Sequence, residues 1–456
     1  MNFQQALDKL SSISQTQALK YWKLLTDHQK KHLLHQIEKL DCDVFREQQY
    51  LLQTSQKTLH IAPFHDFSTI GNSKNIRLGK ELISQGKMGC LIVAGGQGTR
   101  LHLNGPKGMV EITPYQHKTL FQLFAEKTLA AGMQAKKRLP LAIMTSPQNH
   151  EDIIKFFKEK NFFGLDENQL SFFCQTTLPL LDNKGNLFLE SPHTIAEGPD
   201  GNGSALHQFF HSGLWKAWYM QGVRYLNFIL IDNPLADPFD AELVGFHDHQ
   251  QCDIVIKCTS RASIDENVGI LVKENDRIGV IEYTEMPEKE RYAIDNRGCF
   301  LHYCANISLF SFSMNFIQKI ALENSLMPLH KAFKTAKYLS PNGKTIQARK
   351  PMAWKFEKFI FDILSQASTV EALLYPRELC FAPLKNLHGQ NSLTSVRNAL
   401  LNRDQKAFAE VSGLPCLSDI EVSQDFYYPT PELLAEWKGK QAPDRGYLST
   451  NSHPKL

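Results

Sequence analysis

Through the first 56 residues, apolar side chains recur at helical spacing. Leu24, Leu25, Leu33, Leu34, Ile37 and Leu40 sit among Lys, Gln, His and Glu, the pattern of amphipathic helices. Residues 63–73 carry Pro, Asp, Ser and Gly and read as a linker. From about residue 80 the pattern changes. Cys90–Ala94, Leu141–Met144 and Tyr225–Ile231 are short apolar runs, and Leu170–Cys174 reads as a further strand; such runs suit fully buried strands of a parallel sheet. Thr119–Ala131, Pro147–Lys160 and Asn202–Met220 read as helices between them, the second with Pro near its start. Strands alternating with helices predict βαβ units, hence an α/β fold with helices on both faces of a mainly parallel sheet. Residues 253–259, 268–272, 277–283 and 304–310 read as strands, and 313–365 as helix-like. After about 386 the chain turns polar and proline-dotted. The expected division is a helical N-terminal segment (1–80), an α/β domain (81–385) and a small C-terminal region (386–456), with no internal repeat.

Composition narrows the function classes. A net charge of +3 on 456 residues gives no reason to expect nucleic acid as a partner. Nine cysteines with no Cys-x-x-Cys suggest a reducing compartment rather than a disulfide scaffold. The N-terminus lacks a basic and apolar leader, and no run approaches the ~20 apolar residues of a membrane span. A cytoplasmic, soluble protein is expected. His28, His32 and His35 share a helix face without a completing carboxylate or cysteine, so they read as solvated polar residues. His247-Asp248-His249 reads as a polar loop or helix end, and Cys299 and Cys304 as structural thiols.

The candidate chemistry begins where the first apolar run ends. Gly95-Gly96-Gln97-Gly98-Thr99-Arg100-Leu101 is followed by Gly105-Pro106-Lys107-Gly108. A glycine-rich turn after a buried strand is where open α/β folds bind phosphate-bearing ligands, because glycine lets backbone N–H groups approach an anion. The spacing excludes two common loops. A Walker A loop needs Gly-Lys-[Ser/Thr], whereas Lys107 follows Pro106, and Leu101 takes the third glycine position of a dinucleotide fingerprint. Arg100 and Lys107 add two cations, so a nucleoside triphosphate is the expected ligand. Asp232 ends the Tyr225–Ile231 strand; alone, it also fits a turn or cap residue. Pro199-Asp200-Gly201-Asn202-Gly203 is a second glycine turn, which also fits a helix start capped by Asn202 or Ser204.

Residues 94–101 with Pro106-Lys107-Gly108-Met109 closely resemble the eukaryotic-type UDP-N-acetylhexosamine pyrophosphorylases, within the uridylyltransferases acting on sugar 1-phosphates. The resemblance continues in family order through Lys118–Gln122, Met144-Thr145-Ser146, Gln175, Pro199–Gly203, Ile231-Asp232-Asn233, Val268-Gly269, Ile281–Glu285, Lys355–Asp362 and Pro383–Asn386. It implies a Rossmann-like nucleotidyltransferase fold, similar to glycosyltransferase A, with a central mixed sheet. It also implies attack of a sugar 1-phosphate on the α-phosphate of UTP, giving a UDP-sugar and pyrophosphate. Arg100, Lys107, Lys355 and Lys385 would handle phosphate charge. Gly95, Gly96, Gln175 and Gly201 would meet the uridine. Asn202, Gly269, Glu282, Asn306, Phe359 and Phe361 would meet the sugar, and Asp232 would hold Mg²⁺. Taken alone, Lys355 and Lys385 also fit surface residues, the two Phe fit a core, and 355–363 fits either helix or strand. The Asp200–Gly203 turn favours N-acetylglucosamine 1-phosphate, since the glucose branches carry His there. His102 replaces a family glycine, and Tyr303-Cys304-Ala305-Asn306-Ile307 departs from the family's Asn-Ala-Gly-Asn-Ile. UDP-glucose synthesis is therefore the alternative, with a non-catalytic UDP-sugar sensor behind it.

Overall fold

A computed structural model of the chain describes residues 1–54, 61–96, 98, 101, 105–275, 277–323, 327–340 and 342–450. Arg100 and His102 lie outside the described residues, as does the end of the C-terminal tail. The chain forms two compact units. One comprises Met1–Leu59, Gln175–Ser204 and Leu326–Asp362; the other comprises His60–Cys174, Ala205–Ser325 and Ile363–Leu456.

Among the described residues, the larger unit is built on an 11-stranded mixed sheet. The expected apolar runs become strands Met88–Val93, Leu141–Thr145, Leu170–Cys174 and Tyr225–Leu230. Met88–Val93 pairs in parallel with Tyr225–Leu230 on one side and with Leu141–Thr145 on the other. Cys304–Ser313 then runs antiparallel between Tyr225–Leu230 and Ile254–Ser260. Gly269–Glu274 pairs antiparallel with both Arg277–Ile281 and Cys304–Ser313. The sheet is thus mixed rather than mainly parallel, because hairpin-like returns beyond residue 250 join the parallel βαβ half. Helix Leu120–Ala135 starts on the Thr119 side chain, which accepts the Gln122 N–H at 3.1 Å, the usual N-cap bond.

Three stretches differ from the sequence pattern. Asn202–Met220 is two helices, Ala205–His211 and Leu214–Met220, parted at Gly213 with φ +84°; a left-handed residue ends one helix where glycine carries no steric cost. Among the described residues of 313–365, only Met314–Glu323 is α-helical. His330–Lys334 pairs with Ala353–Glu357, Lys337–Leu339 pairs with Thr345–Gln347, and a 3₁₀ turn spans Ile360–Gln366. Pro328, Gly343 and Pro351 interrupt any helix, so the apparent spacing of Phe356, Phe359 and Ile360 crosses a strand end. The polar C-terminal region holds a 20-residue helix, Leu393–Ser412, capped by Ser392 and ended at Gly413. With Ile420, Val422, Phe426 and Leu433 it forms its own small core around Phe408.

The smaller unit gathers the N-terminal helices Phe3–Ser11, Asp27–Lys39 and Cys42–Gln53. Leu10, Leu33, Ile37 and Phe45 share a core with Leu181, Leu187, Ile195, Leu329 and Phe356. Gln36 locks the register by giving its amide N–H to the Ile195 carbonyl and accepting the Ile195 N–H. His28, His32 and His35 are exposed, in keeping with a solvated face. His247 in the larger unit corrects the reading of 247–249 as merely polar. It does sit near the end of helix Ala241–Gln250, but it is fully buried, bonded to Ser311 Oγ and the Cys252 carbonyl, and burial pushes its pKa down to about 4. Among the described residues no helix is long and apolar enough to cross a membrane.

Candidate active site

In the larger unit, Lys107, Asp232 and the backbone beside Lys385 come together at the carboxyl ends of adjacent parallel strands, the ligand edge of an open α/β sheet. Leu230 lies opposite Val93, and the Ile231 N–H donates to the Val93 carbonyl at 3.1 Å. Gly95 and Gly96 therefore leave the sheet beside Asp232. Lys107 returns to this edge: its N–H donates to the Gly96 carbonyl at 3.4 Å, and its Nζ lies 3.3 Å from Asp232 Oδ2. Pro106, at φ −63°, caps the short 3₁₀ turn Lys107–Met109 and fixes where that lysine departs. The Asp232 carbonyl accepts the Leu384 N–H at 2.7 Å, which brings the backbone of Lys385 to the same place.

The expected sugar residues of this unit also meet. Gly269 is registered with Asn306, and Ile270 with Ile281, so Glu282 follows on the neighbouring strand. A methyl group built on Gly269 would stand 3.5 Å from Glu282 Oε1 and 3.6 Å from Asn306 Nδ2; glycine keeps that spot open. A bulge between Asn306 and Leu309, with Ser308 at φ +54°, re-aims the strand, and Asn306 Oδ1 accepts the Ser308 N–H. Since Phe310 pairs with Phe228 in antiparallel register, Asn306 lies toward the same sheet edge as Asp232.

The remaining expected residues belong to the smaller unit. Gln175 is buried just before Thr176, whose carbonyl and hydroxyl both bind Asp200. The turn 199–203 docks on the backbone of Lys358. The Lys358 N–H donates to the Asp200 carbonyl at 2.7 Å, and the Gly203 N–H donates to the Lys358 carbonyl at 2.9 Å. Gly201 has φ +89°, and a Cβ there would overlap the Lys358 carbonyl oxygen. Close backbone approach thus accounts for this glycine without any ligand. Asn202 Oδ1 accepts the Ile360 N–H at 3.0 Å. Lys355 Nζ pairs with Glu357 Oε1 at 2.7 Å. The rings of Phe359 and Phe361 stack 5.2 Å apart; Phe361 is buried and Phe359 half-buried. The expected residues therefore fall into two groups, one in each unit.

Three supporting residues were given no role from the sequence. Asn149 gives its amide to the Ala94 carbonyl and accepts the Ser146 N–H, pinning the strand just before the glycine turn. Asn233 donates to the Cys380 carbonyl and accepts the Ala382 N–H, tying the Asp232 loop to the Lys385 segment. Lys127, fully buried, donates to the Pro234 and Ala236 carbonyls at 2.6 and 2.8 Å, and burial lowers its pKa to about 8.

The donor set at Asp232 fits magnesium as substrate enzymes use it. Among the described residues no group of three His, Cys, Asp or Glu could hold a metal. A single partly exposed carboxylate suits an ion that takes its other ligands from phosphate oxygens and water.

Comparison with known proteins gives the family. The family model described as UTP–glucose-1-phosphate uridylyltransferase matches residues 31–423. A protein of Dictyostelium discoideum named probable UDP-N-acetylglucosamine pyrophosphorylase is 30% identical over 439 residues, covering 90% of this chain and 90% of the relative. The UDP-N-acetylglucosamine pyrophosphorylase of Saccharomyces cerevisiae is 29% identical over 462 residues, covering 93% and 95%. Among solved structures, a putative UDP-N-acetylglucosamine pyrophosphorylase from Entamoeba histolytica superimposes with a TM-score of 0.76 at 28% identity, covering 85% of this chain and all of that one. The Trypanosoma brucei uridine diphosphate N-acetylglucosamine pyrophosphorylase shares the fold, with a TM-score of 0.82 at 24% identity and 98% coverage of both chains. The class is that of nucleotidyltransferases acting on sugar phosphates. Within it, the chain belongs to the UTP–glucose-1-phosphate uridylyltransferase family.

Proposed function

We propose that the protein forms UDP-N-acetylglucosamine and pyrophosphate from UTP and N-acetylglucosamine 1-phosphate. The observation that carries the reading is the pairing of Lys107 with Asp232 at the carboxyl edge of two parallel strands, beside Gly95, Gly96 and the Lys385 backbone. The choice of sugar is supported by the names of the relatives in Dictyostelium discoideum and Saccharomyces cerevisiae.

An ionised oxygen of the sugar 1-phosphate forms a bond to the α-phosphorus of UTP. The bond from that phosphorus to the oxygen bridging to the β-phosphate breaks, and its electron pair leaves with pyrophosphate. The nucleophile needs no base, so the chain supplies positioning and charge. Lys107, with Arg100 on the resemblance alone, neutralises the triphosphate; Lys355 and Lys385 receive the sugar phosphate. Gly95, Gly96, Gln175 and Gly201 hold the uridine. Asn202, Gly269, Glu282 and Asn306 bond the sugar, and Phe359 backed by Phe361 takes its apolar side. Magnesium, held by Asp232, would neutralise phosphate oxygens when bound. All nine cysteines are free thiols, which supports a reducing compartment such as the cytoplasm.

The deciding experiment incubates the protein with UTP and, separately, N-acetylglucosamine, N-acetylgalactosamine and glucose 1-phosphates, reading pyrophosphate release. Fastest turnover of N-acetylglucosamine 1-phosphate is expected. Faster use of glucose 1-phosphate would overturn the assignment of the sugar, and no release with any of them would overturn the enzyme reading.

A further inference from the structure

Beside the two expected sugar-facing phenylalanines stands a residue that neither the sequence pattern nor the resemblance singled out. His330 opens strand His330–Lys334 and pairs across to Glu357, on the strand that leads into Phe359. Its ring centroid lies 4.7 Å from that of Phe359 and 6.0 Å from that of Phe361. Its Nε2 lies 3.0 Å from Asp362 Oδ2, and the same oxygen accepts the Phe359 N–H at 3.4 Å. A carboxylate can only accept, so Nε2 carries the shared hydrogen. Asp362 thus fixes the plane of the imidazole and the backbone of Phe359 together. From the other side, Asn202 holds the Ile360 N–H. Phe361 is 4% exposed; Phe359, half-buried, is the more accessible ring of the pair.

We infer that His330, held by Asp362, is a positioning residue that determines specificity: it sets the Phe359 ring against the acetamido group of the sugar and thereby sets the preference for an N-acetylated substrate. The inference rests on the reading that Phe359 meets the sugar. A methyl-sized apolar contact discriminates substrates by roughly 10–200-fold when its wall is well placed. A wall displaced by an ångström forfeits much of its dispersion contact. His330 therefore acts on the acetylated sugar and not on UTP.

The test uses the full-length protein at saturating UTP. It compares kcat and KM for N-acetylglucosamine 1-phosphate and glucose 1-phosphate in wild type, His330→Leu, His330→Phe and Phe359→Ala. His330→Leu should lower the ratio of the two kcat/KM values about 10-fold. The loss should lie mainly in KM for the acetylated sugar, with KM for UTP unchanged. His330→Phe keeps an aromatic ring but cannot bond Asp362, and should fall between. An unchanged ratio in both His330 variants, while Phe359→Ala lowers it, would overturn the inference and leave the aromatic wall standing. An unchanged ratio in Phe359→Ala would overturn the wall itself and the inference with it. If His330→Leu does not melt cooperatively, His330→Phe decides by the same criterion.

Discussion

An ammonium and a carboxylate 3.3 Å apart, each about one-seventh exposed, are partly desolvated, and replacing either strands the other. Lys107→Met should lower kcat roughly 10²–10³-fold, the scale for removing one charge-stabilising donor, while UTP affinity shifts far less; steady-state kinetics beside a UTP titration checks this. Asp232→Asn should raise the magnesium concentration needed for half-maximal rate, and an unaltered magnesium titration would remove Asp232 as the ligand. At Gly201 the forecast concerns stability. With φ +89° and the Lys358 carbonyl where a Cβ would go, Gly201→Ala should cost about 2 kcal/mol or more by urea unfolding. Lys107 was marked in the sequence as a candidate by the glycine-rich turn it follows, whereas Asp232, which alone also fits a turn or cap residue, was marked only by the resemblance. The roles of Asn149, Asn233 and Lys127 were not legible there, because their partners are backbone groups far along the chain, Ala94, Cys380 and Pro234. No local pattern records such bonds. Gly201 was legible as a turn glycine, but the strand end it packs against was not.

Among the elements, the strands of the parallel half were readable because burial on both faces makes them continuous apolar runs. The hairpins of residues 330–357 were not, since half-exposed strands with prolines and a glycine between them carry little periodic signal. The C-terminal helix Leu393–Ser412 was masked by its polar outer face, although Val396, Leu400, Ala407 and Val411 form its buried stripe. Asp404 on that stripe is buried, bonded by the Tyr427 hydroxyl at 2.5 Å. Burial above all, and the nearby Glu421 charge, push its pKa up to about 7, against the Tyr427 bond. Between about pH 4 and 7 the folded chain keeps a proton that the unfolded chain has released. This contribution is fully present below pH 4 and is lost as pH rises through 7. The stability advantage of wild type over Asp404→Asn should therefore shrink from pH 4 to 7, by roughly 4 kcal/mol at most, as measured by urea unfolding at several pH values.

For the molecule as a whole, the N-terminal helices are part of a core that also contains Phe356, on the strand that presents Lys355. Deleting residues 1–54 should expose Leu181, Leu187, Ile195 and Phe356, abolish uridylyl transfer and give a product that binds a hydrophobic dye; a soluble and active truncation would contradict this. The sequence divides naturally into consecutive segments, whereas this unit is assembled from three separated ones, and no local pattern announces contacts between them. That discontinuity has a consequence during synthesis. Phe45 leaves the ribosome 311 residues before Phe356, a wait of roughly 15–60 s at ordinary elongation rates of about 5–20 residues per second. For that interval the helices holding Leu33, Ile37 and Phe45 lack the last segment of their core, so their apolar faces stay uncovered until the segment ending at Asp362 emerges.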